Sequence, residues 1–153
     1  MVPEPGNKTA TGVIQELGSL MHRQGWLEDW AAFHAAVMTR EEICPTSIAP
    51  GLAMPHARLR GVRELSFAVA RSSEPLVWFD EGSIRPKVVF LFAVPEAEAR
   101  TYLSLVAAVG RLSKNPALIE QLRSASDGQS MFEVLSQAPL LPAGRTGMVA
   151  WPK

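Results

Sequence analysis

The chain has 153 residues, 47% of them hydrophobic and 20% charged, which suits one globular domain with a sizeable core. Fifteen Lys and Arg balance fifteen Asp and Glu, and a net charge of zero argues against a nucleic-acid binder held by phosphate contacts. No apolar run nears the roughly 18 residues of a membrane span, Met1 to Gly12 has no apolar signal core, and the lone Cys44 fits a reducing compartment, so a cytoplasmic protein without direct membrane insertion is expected.

Residues 1–10 read as a flexible leader. From Thr11, the spacing of Val13, Ile14, Leu17, Leu20 and Met21 predicts a helix. Thr9 or Thr11 would cap it, and Gly25 would stop it. A second helix is expected from about Glu28 to Met38, burying Trp30, Phe33 and Val37. Thr39 to Gly51, with two prolines, reads as irregular. Glu64 to Arg71 alternates as a strand does, and Pro75 to Phe79 continues toward a second extended piece. Asp80 to Ser83 is a turn. Val88 to Val94 is a continuous apolar run, the mark of a central strand covered on both faces. Leu103, Val106, Val109 and Leu112 mark a long amphipathic helix. Asn115-Pro116 opens a short helix through Leu122, and Asp127-Gly128 opens a last one carrying Phe132, Val134 and Leu135. The domain is thus expected over 11–137, with residues 138–153 as a tail. Cys44 reads as a small buried or half-buried side chain.

The segment Arg40-Glu41-Glu42-Ile43-Cys44-Pro45-Thr46-Ser47-Ile48-Ala49-Pro50-Gly51-Leu52-Ala53-Met54-Pro55-His56-Ala57-Arg58 carries the chemistry. Pro55 stiffens the backbone before His56 and biases Met54 toward an extended conformation. His56 is therefore expected where an extended segment ends, held so that it presents one ring nitrogen repeatedly in one place. If the segment is extended, Arg58 leaves on the same side two residues on. Arg58, Arg60 and Arg63 together suggest a local basic patch. His22 and His34 sit in ordinary helical settings.

This segment resembles the active-site stretch of enzyme IIA domains of the fructose/mannitol type in the bacterial sugar phosphotransferase system (PTS), including their nitrogen-regulatory relatives. In that family an Arg-Glu pair leads through a Ser/Thr and a Gly-rich turn to a G-x-A-x-P-H core, whose histidine is phosphorylated. Lys87 to Glu96 resembles the family's central strand ending in Pro-Glu, and Tyr102 to Leu112 its following helix. The resemblance implies an α/β fold with a single mixed β-sheet flanked by helices on both faces. The N-terminal strand usual in the family would be short or missing here. It implies His56 as phosphoacceptor, with Arg58, Thr46 and Tyr102 beside it and Ser47 and Gly51 supporting the phosphate loop. Arg40 and Glu41 would form an ion pair or cap anchoring the loop. It implies no metal and no organic cofactor. The implied partners are an HPr-type phosphocarrier protein and either a IIB domain of a membrane permease or a regulatory target protein.

One position departs from the family pattern. Many relatives carry a second histidine where this chain has Tyr102. Tyrosine offers a neutral donor and no positive charge near pH 7. Two uses of the fold follow: a phosphohistidine carrier or regulatory switch, and a non-catalytic protein-interaction module with phosphotransfer impaired at Tyr102. The absence of attached IIB, IIC or HPr segments from the sequence modestly favours the switch over the dedicated carrier.

Overall fold

The computed structural model describes residues 9–48, 51–79 and 85–137. Most of the leader, Pro50, the turn expected at Asp80 to Ser83 and the tail over 138–153 lie outside the described residues. The elements run α1 (Ala10–Arg23), α2 (Trp30–Ile43), β1 (Ser47–Ile48), β2 (Leu52–Ala53), β3 (His56–Leu59), β4 (Ser66–Arg71), β5 (Val88–Pro95), α3 (Ala99–Ser113), α4 (Pro116–Ser124) and α5 (Gly128–Ser136).

The mixed sheet is built around β5. β4 pairs antiparallel along one edge of it, from Ser66 opposite Ala93 to Arg71 opposite Val88. β2 and β3 share the other edge and run parallel to β5. Leu52 faces Val88 and His56 faces Phe92, so one register continues across Met54-Pro55. The ladder lapses there because Pro55 has no N–H to give. Its carbonyl still accepts from the Phe92 N–H at 3.0 Å. β1 folds back antiparallel on β2. His56 therefore opens β3 and does not end a strand: the proline interrupts a strand that resumes at once in the same register.

Side chains of β5 alternate between two cores. Val88, Phe90, Phe92 and Val94 pack with Leu105, Val109 and Leu112 of α3 and with Ile119, Leu122, Met131 and Leu135 of α4 and α5. Val89, Leu91 and Ala93 pack with Val13, Ile14, Leu17 and Met21 of α1 and with Phe33 and Val37 of α2. Helices thus cover both faces, as the unbroken apolar run of β5 requires.

Several boundaries differ from expectation. Thr9 caps α1 by accepting from Gly12 N–H, and a single parallel bridge joins Thr9 to Val77, so Thr9 and Ala10 already belong to the folded domain. That bridge is what the described residues hold ahead of α1 of the family's N-terminal strand. Asp29 caps α2, which runs on to Ile43 through the stretch expected to be irregular. Helix-compatible Arg40-Glu41-Glu42 carries it, and the nearest breaker is Pro45. α3 buries Thr101, Leu105, Ala108, Val109 and Leu112, while Leu103 and Val106 are exposed. The helix holds two apolar stripes, and packing on the sheet takes the one that starts at Thr101. Cys44 is exposed, not buried.

Candidate functional site

His56 is 4% exposed, yet its ring reaches an open surface depression of about 490 Å³. Two hydrogen bonds fix that ring. Nδ1 lies 2.9 Å from the Met54 carbonyl oxygen, and Nε2 lies 2.8 Å from the Tyr102 hydroxyl. A carbonyl oxygen only accepts, so Nδ1 carries the proton. On a neutral ring Nε2 then holds the free lone pair, and the Tyr102 O–H donates to it. Burial lowers the His56 pKa from its usual value; the Met54 bond opposes this, and the nearby Arg40 charge adds to it. The ring is therefore held neutral, in the tautomer that leaves Nε2 nucleophilic.

Tyr102 comes from the first turns of α3. Its ring lies against the imidazole, with centroids 5.0 Å apart and planes tilted by 39°. Behind it, Arg40 of α2 donates from Nη2 to the Tyr102 hydroxyl oxygen at 3.3 Å. β3 borders the sheet once β1 has ended, so α2 and α3, which cover opposite faces, approach each other around it. Arg40, Tyr102, His56 and Arg58 line the depression together with Ala36, Ala99 and Leu103.

Arg58 stands exposed on the rim, two residues along β3 from His56. The basic patch expected with Arg60 and Arg63 does not form as such. Arg60 pairs with Glu96 at 2.7 Å and Arg63 with Glu28 at 2.8 Å, so these two charges are already answered.

The three loop residues lie elsewhere. Thr46 does not hold the ring: its hydroxyl and its N–H both donate to the Glu41 carboxylate. Ser47 belongs to β1, opposite Ala53. Gly51 has φ of 105°, a conformation that favours glycine. Its carbonyl accepts from Lys87 and Val88, so it ties the turn before β2 to the start of β5, away from the depression.

Arg40 and Glu41 do not form the expected ion pair. Neighbours on a helix point about 100° apart. Arg40 turns to the site, while Glu41 is fully buried and accepts from Thr46 and from Trp78 Nε1. Glu41 does anchor the loop, but through hydrogen bonds. Sequence reasoning read Arg40 as a loop anchor, whereas the structure turns it into the depression. Its place in the segment that leads to Pro55-His56 was visible; its direction around the helix was not. No group of three or more His, Cys, Asp or Glu side chains that could hold a metal occurs among the described residues.

The arrangement offers a nucleophilic nitrogen, a neutral donor against it, and two cations at the same opening. Such a set suits transfer of an anionic group, where positioning and charge stabilisation carry most of the catalysis.

Residues 4–138 match the family model described as "Phosphoenolpyruvate-dependent sugar phosphotransferase system, EIIA 2". The fructose-specific EIIA component of Haloferax volcanii is 30% identical over 130 residues, 84% of this chain and 84% of that protein. The 2-O-alpha-mannosyl-D-glycerate-specific EIIABC component of Escherichia coli is 32% identical over 126 residues. These are 80% of this chain but 18% of that protein, and the chain spans a similarly small part of other long relatives that it matches. In fold it is similar to the nitrogen regulatory protein IIA-Ntr of Neisseria meningitidis, with a TM-score of 0.77, 24% identity and coverage of 88% of this chain and 91% of that one.

Proposed function

The chain belongs to the EIIA type 2 family of the phosphoenolpyruvate-dependent sugar phosphotransferase system, and from that premise we propose that it carries a phosphoryl group on His56 Nε2. The group arrives from the phosphohistidine of an HPr-type protein. It leaves to a IIB-type acceptor, or stays as a regulatory mark that selects the protein's partner. Relatives of both kinds, a fructose-specific EIIA component and nitrogen regulatory proteins, match most of this chain.

The observation that carries the reading is the tautomer. With Nδ1–H given to Met54, Nε2 attacks phosphorus without first losing a proton. The donor's P–N bond breaks as the new one forms, and its electron pair returns to the donor imidazole. His56 keeps its Nδ1 proton throughout. Tyr102 must leave Nε2 as phosphorus approaches, and its hydroxyl then finds acceptors in the phosphoryl oxygens. Arg40 and Arg58 offer the opposing charge. Arg40 supplies a cation beside the place where relatives have their second histidine, which favours working phosphotransfer over the non-catalytic module.

Incubation with a phosphorylated HPr-type donor tests this. The intact protein should gain the mass of one phosphoryl group in an acid-labile, alkali-stable bond, and His56→Ala should gain none. Labelling on His22 or His34, or none at all with donor in excess, would overturn the reading. Rapid passage of the label to a IIB cysteine would mark a carrier, and a long-lived phosphoprotein would mark a switch.

A further inference from the structure

We propose that Glu41 is a positioning residue for His56. Its buried carboxylate takes the Thr46 N–H that a regular strand pair would give to Met54, and so frees the Met54 carbonyl to hold the histidine ring. The functional meaning of this rests on His56 as phosphoacceptor.

The argument starts from the β1–β2 ladder. Ser47 faces Ala53 and Ile48 faces Leu52. The next pair outward is Thr46 with Met54, and the Met54 N–H donates to the Thr46 carbonyl at 3.3 Å. Two residues so paired in an antiparallel ladder exchange both bonds. The returning bond, from Thr46 N–H to the Met54 carbonyl, is missing. The Thr46 N–H instead donates to Glu41 Oε2 at 3.0 Å. The Met54 carbonyl is thereby left pointing past the end of β1, where His56 Nδ1 meets it at 2.9 Å.

Glu41 is built for the diversion. It sits in the last turns of α2 with 0% exposure. Three donors converge on it: Thr46 N–H, Thr46 hydroxyl and Trp78 Nε1, the last at 3.0 Å. Buried ionised groups are costly unless so satisfied, and these three bonds hold the carboxylate where the Thr46 N–H must point. Loss of Glu41 returns that N–H to the ladder, where it competes with His56 for the same carbonyl. The ring then moves toward the tautomer protonated at Nε2, in which the nucleophile is blocked.

The test reads the imidazole itself, by nitrogen-15 NMR of the His56 ring in the full chain. The unaltered protein should show a neutral Nδ1–H ring. Glu41→Met should shift the tautomer ratio about 2–10-fold toward Nε2–H, the equilibrium worth of one ordinary hydrogen bond. Glu41→Gln, whose amide oxygen still accepts the Thr46 N–H, should restore the ratio. Trp78→Phe removes another donor from the same carboxylate; it should lower the melting temperature and leave the tautomer alone. An unmoved tautomer in Glu41→Met, or an equal shift in Trp78→Phe, would sink the proposal. Should Glu41→Met not fold, the unaltered protein decides through scalar coupling across the hydrogen bond. Coupling of the Thr46 amide to Glu41 Cδ supports the diversion, and coupling to the Met54 carbonyl carbon refutes it. None of these readings needs phosphate, so a His56 that takes no phosphoryl group would overturn the phosphocarrier function and leave the positioning result standing.

Discussion

Arg40 donates to the hydroxyl through which Tyr102 meets His56, yet the two residues differ in what they would bring to the proposed transfer. In the proposed transfer, Tyr102 would exchange its neutral hydrogen bond to Nε2 for one to a charged phosphoryl oxygen. Neutral bonds contribute about 0.5–1.5 kcal/mol and charged ones about 1.5–3 kcal/mol. The difference is about 1 kcal/mol, which is less than tenfold in rate. Tyr102→Phe should therefore slow labelling of His56 by less than about tenfold. Arg40→Gln removes a full cation and should slow it about 10–100-fold. Initial rates with a phosphorylated HPr-type donor decide, and a phenylalanine variant slower than the glutamine variant would reverse the two roles. The Pro-His motif was readable because Pro55 and His56 are neighbours in the chain. The resemblance already put Tyr102, 46 residues away, beside His56; the ring's other partner was not readable, because a Met54 backbone carbonyl leaves no mark in the residue types.

Helix α1 meets α2 through an absent side chain. A Cβ on Gly18 would stand 2.0 Å from Trp30 Cζ3 and 2.2 Å from Cη2. Trp30, expected to be buried, is half-buried and lies over this glycine. Gly18→Ala gains about 1 kcal/mol of helix propensity but overpacks the contact, at a cost of about 1–3 kcal/mol. The net change should be a loss of about 1 kcal/mol, seen as a lower urea midpoint. In a Trp30→Ala background the clash is gone, and the same substitution should be neutral or stabilising. Additive effects in that double-mutant cycle would show that the two residues do not bear on one another. The small residue at position 18 was on the page from the start, but only the packing of two helices shows what it makes room for.

At the scale of the whole molecule, His56 couples the fold to pH. Burial holds its pKa below the ordinary value of about 6.5. Well above pH 6.5, neither the folded nor the unfolded chain binds a second proton at this ring. As pH falls from there through the lower folded pKa, the unfolded chain takes up a proton that the folded chain does not. Stability should therefore fall with pH in that window. Urea unfolding near pH 7.5 and near pH 5.5 measures the loss, and His56→Gln should abolish this part of it. An unchanged pH slope in His56→Gln would mean that the buried ring is not what resists protonation. The same property keeps Nε2 free at acidities where an exposed histidine would already be charged, so phosphate acceptance should persist below pH 6.5.

Local pattern by itself determined the central strand, the helix starts at Asn115 and Asp127, whose side chains cap them, and the stiff Pro55-His56 step, because each depends on contiguous residues; for α1 it left Thr9 and Thr11 both open as caps. An apolar run must be covered on both faces, and a capping side chain needs only the amides that follow it. Tertiary structure alone decided which stripe of α3 faces the sheet, that Arg40 turns to the site while Glu41 turns inward, and that Tyr102, expected beside His56, takes Nε2 and not Nδ1. Each of these depends on the rotation of a helix about its own axis as it packs. The composition of α2 and α3 permits more than one such rotation. The cores on the two faces of β5 select one, and that choice brings a residue from each helix around the strand edge to the same imidazole.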